Sequence, residues 1–249
     1  MARQKTEWWR EFFPYFQNLF DITVPGDAAK MTSYIIRKLG LKAGDSFLDC
    51  PCGNGRISIP LAKKGIKVSG VDITRSYLDK LSQGNKKLKL PVKIIEMDMR
   101  RINFDSQFDA AGNIWTSFGY FDKESDNQLV LNKLYKALKP GGKMLLHVLN
   151  RDWIIKHYTP YGLLELGDLK VVDKRRFDCK TSINISQWHF FKSGHEEVYE
   201  SRIRMYSWHE LYNMMQRAGF QDVQGYGSMN DDQIDFNSQN LFVIGTKKR

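Results

Sequence analysis

Residues 48–56 read Leu-Asp-Cys-Pro-Cys-Gly-Asn-Gly-Arg, behind a short lead-in of Ser46 and Phe47. Ser46 to Asp49 has the character of a short buried strand, while Ile57, Leu61 and Ala62 mark a helix that ends at Gly65. Gly53 and Gly55 therefore sit where a strand turns into a helix, free to take positive φ and to let a ligand approach the backbone. A pyrophosphate-binding turn of the G-x-G-x-x-G kind needs a third glycine, but Ser58 occupies that place. The Asp49 carboxylate just before the loop would also repel a pyrophosphate. The turn suits a ligand with cationic groups and no phosphate, although two glycines alone fit an unliganded structural turn equally well.

Strands and helices alternate on both sides of this turn. Met31, Ile35, Ile36 and Leu39 place a helix over 28–39. Downstream, Val68–Val71 reads as a second strand, Tyr77, Leu78 and Leu81 as a helix closed at Gly84, Val92–Ile95 as a third strand and Phe108–Ile114 as a fourth. Ser125 and Gln128 have capping-box spacing ahead of a helix bearing Val130 and Leu134, and Lys139-Pro140-Gly141-Gly142 stops it before a fifth strand, Lys143–His147. A second capping-box pair, Ser207 and Glu210, opens a helix that Gly219 ends. Residues 221–226 and 241–246 then form an antiparallel hairpin at the sheet edge. The pattern predicts an α/β fold: a doubly wound, Rossmann-like, mostly parallel seven-stranded sheet with helices on both faces. Residues 169–206 break it with alternating β-type stretches, an antiparallel β insertion after the fifth strand.

Two further acidic residues end strands. Asp72 closes the second, where a doubly wound fold places the carboxylate that accepts ribose hydroxyls, and Asp98 follows the third, where it can accept an adenine amino group. Singly each is a helix cap or a loop aspartate. With Asp49 they line one rim of the sheet. The stretches LDCPCGNGR, VSGVDIT, IIEMDMR, FDAAGNIWTSFGYF and LKPGGKMLL, in that order over residues 45–150, resemble the successive motifs of class I S-adenosylmethionine-dependent methyltransferases, in their small-molecule branch. The resemblance implies that Asp49, Gly53 and Gly55 surround the methionine part of the cofactor, that Asp72 and Ile73 hold the ribose, that Asp98 and Met99 hold the adenine, and that Asn113 and Trp115 lie beside the methyl donor. Pro51 stands where that family more often has glycine.

The resemblance also implies one methyltransferase domain over 1–249, parsed as an amino-terminal lid segment (1–25), a cofactor-binding core (26–150), a β insertion that covers the substrate (151–206) and a closing helix and strands (207–249). The aromatic residues Trp8, Trp9, Phe12, Phe13, Tyr15, Phe16 and Phe20 suit such a lid or, equally, the packing face of a helix. Tyr15 has a hydroxyl to position a substrate, and His147 ends the fifth strand where it could take a proton, so these two are the catalytic candidates. Arg202 and Arg204 share one face of their strand and could both grip an acidic acceptor or both face solvent. Methyl transfer needs no catalytic residue as such, because the donor is already activated and most of the acceleration can come from alignment in a dry pocket.

Composition bounds the partners. The chain has 249 residues, 38 Lys and Arg against 28 Asp and Glu, and a formal charge of +10, which suits a polyanion or simply a solvated surface. Three cysteines are too few for an all-cysteine zinc site, and the histidines lack ligand spacing, so no metal is expected. The odd cysteine count and the lack of a signal-peptide core or bilayer-length apolar run point to the reducing cytoplasm. The expected partner is a small-molecule methyl acceptor, modified on nitrogen or oxygen, with the chain a monomer or homodimer. An RNA methyltransferase using the basic surface and a non-catalytic S-adenosylmethionine-binding protein are the competing readings.

Overall fold

Strand β1 (Ser46–Asp49) lies between β2 (Lys67–Asp72) and β4 (Phe108–Asn113) in the middle of a seven-stranded sheet. The computed structural model describes the backbone of residues 7–23 and 27–249 and the side chains of 7–16 and 28–249. Beyond β2 comes β3 (Lys93–Glu96), and beyond β4 come β5 (Leu138–Leu149), β11 (Asn240–Thr246) and β10 (Gln221–Tyr226), all pairs being parallel except those that involve β11. This is the predicted mostly parallel sheet with its closing hairpin.

Adjacent residues of the inner strands point to opposite faces, and both faces are covered. Phe47, Leu145 and Phe242 pack under helices α2 (Asp27–Leu39), α3 (Ser58–Lys63) and α4 (Arg75–Leu88). Their neighbours Leu48, Leu146 and Val243 pack under α5 (Glu124–Ala137), α7 (Trp208–Ala218) and the amino-terminal helix α1 (Trp9–Thr23). The Ser207–Glu210 capping box forms as expected, and Gly219 ends α7 at φ 104°.

Three local expectations fail for physical reasons. Gly84 does not close α4: it lies inside the helix against α3, where a Cβ would come within 2.9 Å of Ile59, and the helix ends at left-handed Lys89. The Ser125–Gln128 capping box does not form, because Lys123 is the N-cap and Gln128 instead donates to the Met214 carbonyl of α7 at 3.0 Å. The β strands of the 151–206 insertion also begin earlier than residue 169. After α6 (Arg151–Lys156), strand β6 (Tyr161–Leu166) joins β7 (Leu169–Asp178), β8 (Ile183–Lys192) and β9 (His195–Arg204) in a four-stranded antiparallel sheet.

That second sheet is fastened to the core at its lower end. The Arg204 N–H donates to the Gly119 carbonyl at 2.8 Å, and a Cβ on Gly119 would collide with the Arg204 carbonyl oxygen. Arg202 pairs with Asp122 at 3.6 Å and Arg204 with Glu124 at 2.8 Å. The two arginines therefore dock the insertion onto the segment leading into α5. Neither lines the cavity described next, so the expectation that they grip an acidic acceptor gives way to this structural role.

Candidate functional site

The carboxyl ends of β1 to β5 open into a cavity of about 560 Å³, closed over by α1 on one side and by β8 and β9 on the other. Strand ends of an open α/β sheet are its usual ligand site, and this volume is that of a small-molecule pocket. Asp49, Gly53, Asp72, Ile73, Asp98, Met99, Trp115 and His147 all line it.

Each carboxylate is held differently. Asp49 is buried at the end of β1, where the Ser58 hydroxyl of α3 donates to it at 2.6 Å. Burial pushes its pKa up to about 7, the charge of Asp72 adding to the rise and Ser58 opposing it. Asp72 accepts the Gly53 N–H and the Thr74 N–H, each at 2.8 Å, and so ties the glycine turn to the end of β2. Burial raises its pKa too, with those N–H groups offsetting part of the rise. Asp98 differs: burial alone would raise it, but the Arg100 guanidinium at 2.6 Å and the Arg100 N–H outweigh that and hold the carboxyl below its usual range. Arg100 is in turn shared with Glu7 and Asp126, each at 3.3 Å, and lies on the Phe121 ring.

Gly53, at φ 53°, has only Tyr77 nearby, at 3.8 Å from a hypothetical Cβ, so the backbone is open to a ligand there. Gly55 is not a cavity residue. Its φ of 88° and the Leu81 side chain, which a Cβ would strike, make it the seat for α4 on the turn. Asn113 is also off the cavity: fully buried, it donates to the carbonyls of Cys50 at 3.0 Å and Ser117 at 3.3 Å, bracing the loop behind the site.

His147 borders the cavity with both nitrogens engaged. Nδ1 accepts the Trp115 N–H at 3.1 Å, which leaves Nε2 to donate to Asn240 Oδ1 at 3.1 Å. Burial lowers its pKa to about 4, with Asn240 opposing. The ring is thus neutral, its lone pair is already used, and its effect is to hold Trp115. That residue and Thr116 are consecutive left-handed residues, at φ 64° and 57°, a conformation that needs support from its surroundings. The His147 carbonyl accepts the Thr116 N–H, and Thr116 Oγ1 accepts the Leu149 N–H, each at 3.0 Å, so β5 pins the whole turn. Tyr15 lies away from the cavity, stacked on Tyr199 at 4.7 Å and edge-on to Phe190 at 4.8 Å, so its hydroxyl is not placed to position a substrate.

Other lining residues were not singled out from sequence. Arg56 follows the glycine turn and Tyr77 opens α4, so both lie next to motifs already read. Trp188, Ser201 and Ile203 come from the insertion, and Met229, Gln239 and Asn240 from the segment before and into β11. No local pattern marks these. The aromatic side chains form a connected wall: Trp9 on Phe121 at 5.1 Å, Trp8 on Tyr120 at 5.3 Å, Phe13 on Tyr120 at 5.4 Å and Phe12 on Trp188 at 5.8 Å. The side chain of Phe20, counted with the lid from sequence, lies outside the described residues.

Comparison with known proteins matches residues 47–142 to a family described as "Methyltransferase domain". The Bacillus subtilis (strain 168) protein YqeM, named as a methyltransferase, is 36% identical over 103 residues, 41% of each chain. The match thus spans about two fifths of that relative's length. A Geobacillus sp. (strain WCH70) protein, also named as a methyltransferase, is 23% identical across 95% of this chain and 99% of its own. Among solved structures, an S-adenosylmethionine-dependent methyltransferase from Clostridium acetobutylicum ATCC 824 has a TM-score of 0.83 at 15% identity, covering 95% of this chain and 99% of that one.

Proposed function

We propose that this chain belongs to the class I S-adenosylmethionine-dependent methyltransferase family and that it moves a methyl group from S-adenosylmethionine to a small-molecule acceptor, on nitrogen or oxygen. The observation that carries the reading is the set of three carboxylates and an open glycine turn at consecutive strand ends around one small cavity. These residues fit the cofactor. Two buried carboxylates with raised pKa values favour an arriving ammonium and sulfonium, and neither tolerates a phosphate. In this reading Asp49 and Gly53 hold the methionine portion, Asp72 and Ile73 the ribose, and Asp98 and Met99 the adenine.

The bound cofactor would supply an activated methyl group; the chain supplies alignment and exclusion of water. His147 and Thr116 fix the turn that presents Trp115 to the cavity, and α1 with β8 and β9 closes the acceptor side. A pocket walled on both sides suits a small acceptor better than a polymer. The RNA reading draws support from a basic cluster of Arg37, Lys38, Lys143, Lys247, Lys248 and Arg249, but that cluster sits at the amino-terminal rim of β5, away from the cavity. No helix among the described residues is long and apolar enough to cross a membrane. Three free cysteines fit the reducing, cytoplasmic setting we propose.

Calorimetry tests the cofactor: S-adenosylmethionine and its demethylated product should bind, and NAD should not. A preference for NAD would overturn the reading. The Asp49 environment adds a pH dependence. A carboxyl whose pKa is about 7 in the empty site is largely protonated at pH 6 and must release that proton when a cation binds beside it. Affinity for S-adenosylmethionine should therefore fall about tenfold from pH 8 to pH 6, and the fall should vanish in Asp49→Asn. The same raised pKa makes the empty fold more stable at low pH, the benefit being lost as pH rises through about 7. Flat affinity between pH 6 and pH 8 would show that Asp49 does not face the cationic group.

A further inference from the structure

Resting on the methyltransferase reading, we propose that the acceptor carries a basic nitrogen, and that the cavity selects an amine over an anionic or hydroxyl-bearing molecule of the same shape. Charge is the first observation. Among the described lining residues three carboxylates, Asp49, Asp72 and Asp98, stand against one guanidinium, Arg56, whose charge lies 5.0 Å over the Trp115 ring. The cofactor, with an ammonium, a sulfonium and a carboxylate, brings a single net positive charge. With Arg100 paired to Asp98, these groups sum to one negative charge, which the cofactor offsets, so the filled site holds no surplus cation to draw an anionic acceptor. Arg202 and Arg204, on the nearby strand β9, are paired with Asp122 and Glu124.

The walls are the second observation. The cavity is also bounded by the faces and edges of Trp9, Phe12, Phe13, Tyr120 and Trp188, and aromatic faces attract a cation most strongly where water is excluded. Proton economy is the third. His147 borders the reacting region with its lone pair committed to the Trp115 N–H and its proton to Asn240, so it does not take a proton from a hydroxyl. The bound ammonium gives a proton to water, which frees the nitrogen lone pair without a base from the chain. The nitrogen bonds to the methyl carbon as the carbon–sulfur bond breaks, and the electron pair of that bond stays on sulfur. The products are a neutral thioether and an N-methylammonium cation. The cation formed is the species that the aromatic wall holds best.

The test uses the full chain saturated with S-adenosylhomocysteine and three probes of matched size: phenethylamine, 2-phenylethanol and phenylacetate. Calorimetry should show the amine binding at least about tenfold tighter than the alcohol, with phenylacetate weakest. Label from S-adenosylmethionine should enter phenethylamine in preference to the other two. An amine that binds no better than the alcohol or the carboxylate, including no binding of any probe at millimolar concentration, overturns the proposal. Binding of S-adenosylhomocysteine is measured first. Its loss would overturn the methyltransferase reading itself, whereas intact S-adenosylhomocysteine binding with the wrong probe order overturns only the acceptor class.

Discussion

Deleting residues 1–20 is expected to lower turnover at least about 100-fold, because α1 is the wall that shuts water out of the acceptor side. It should also cost stability. Trp8, Trp9 and Phe12 are only 3%, 5% and 4% exposed and share one cluster with Leu48, Val71 and Val130. Truncating a buried aromatic costs about 3–5 kcal/mol, so losing three rivals the whole stability of a domain, about 5–15 kcal/mol. Deletion alone thus mixes wall with core. Phe13 separates them, since it is only partly buried, lines the cavity and rests on Tyr120 at 5.4 Å and Tyr77 at 6.2 Å. Phe13→Ala should leave cofactor affinity nearly unchanged and raise the acceptor KM about tenfold, measured by initial rates. Full activity in both the variant and a folded deletion protein would reduce α1 to scaffold and leave a dimer interface as the better account of the insertion.

Asp72→Ala should weaken S-adenosylmethionine binding by roughly 1–3 kcal/mol, about tenfold to a hundredfold, through loss of charge-assisted hydrogen bonds. The structure adds a second cause. Asp72 also accepts the N–H groups of Gly53 and Thr74, so its removal releases the glycine turn as well as the ribose. Asp72→Asn keeps a carbonyl for one of those N–H groups and should fall between wild type and Asp72→Ala. Calorimetry on variants with unchanged circular dichroism decides it: unaltered affinity in both would remove the end of β2 from the cofactor site.

What could be read from sequence is what depends on local order. Asp49, Asp72 and Asp98 each directly end or follow an apolar strand, and parallel pairing then brings the three to one rim without further information. Gly55, Asn113 and Tyr15 show the limit. Each sits in or near a motif that reaches the cavity, yet its side chain, or the space left by lacking one, points into packing: Gly55 toward Leu81, Asn113 toward Cys50, Tyr15 toward Tyr199. Alternation placed Arg202 and Arg204 on a common face correctly. It could not show that Asp122 and Glu124 wait there, because those partners lie far upstream in the chain. His147 was placed near the strand end, which lies two residues on at Leu149, but whether its nitrogens were spoken for depended on Asn240, 93 residues away.

That separation sets an order of events in time. Strand β11 is an interior strand, wedged between β5 and β10, although it follows the entire insertion in the chain. The hairpins of β6 to β9 join near neighbours in sequence and can zip early, whereas β5 must wait for a partner that is synthesised much later. Until then Leu145 and Val148 present an open, apolar ladder, and His147 has nothing beneath Nε2 to fix its proton. A nascent chain stalled before residue 240 would therefore hold a nearly finished cover over an unfinished floor.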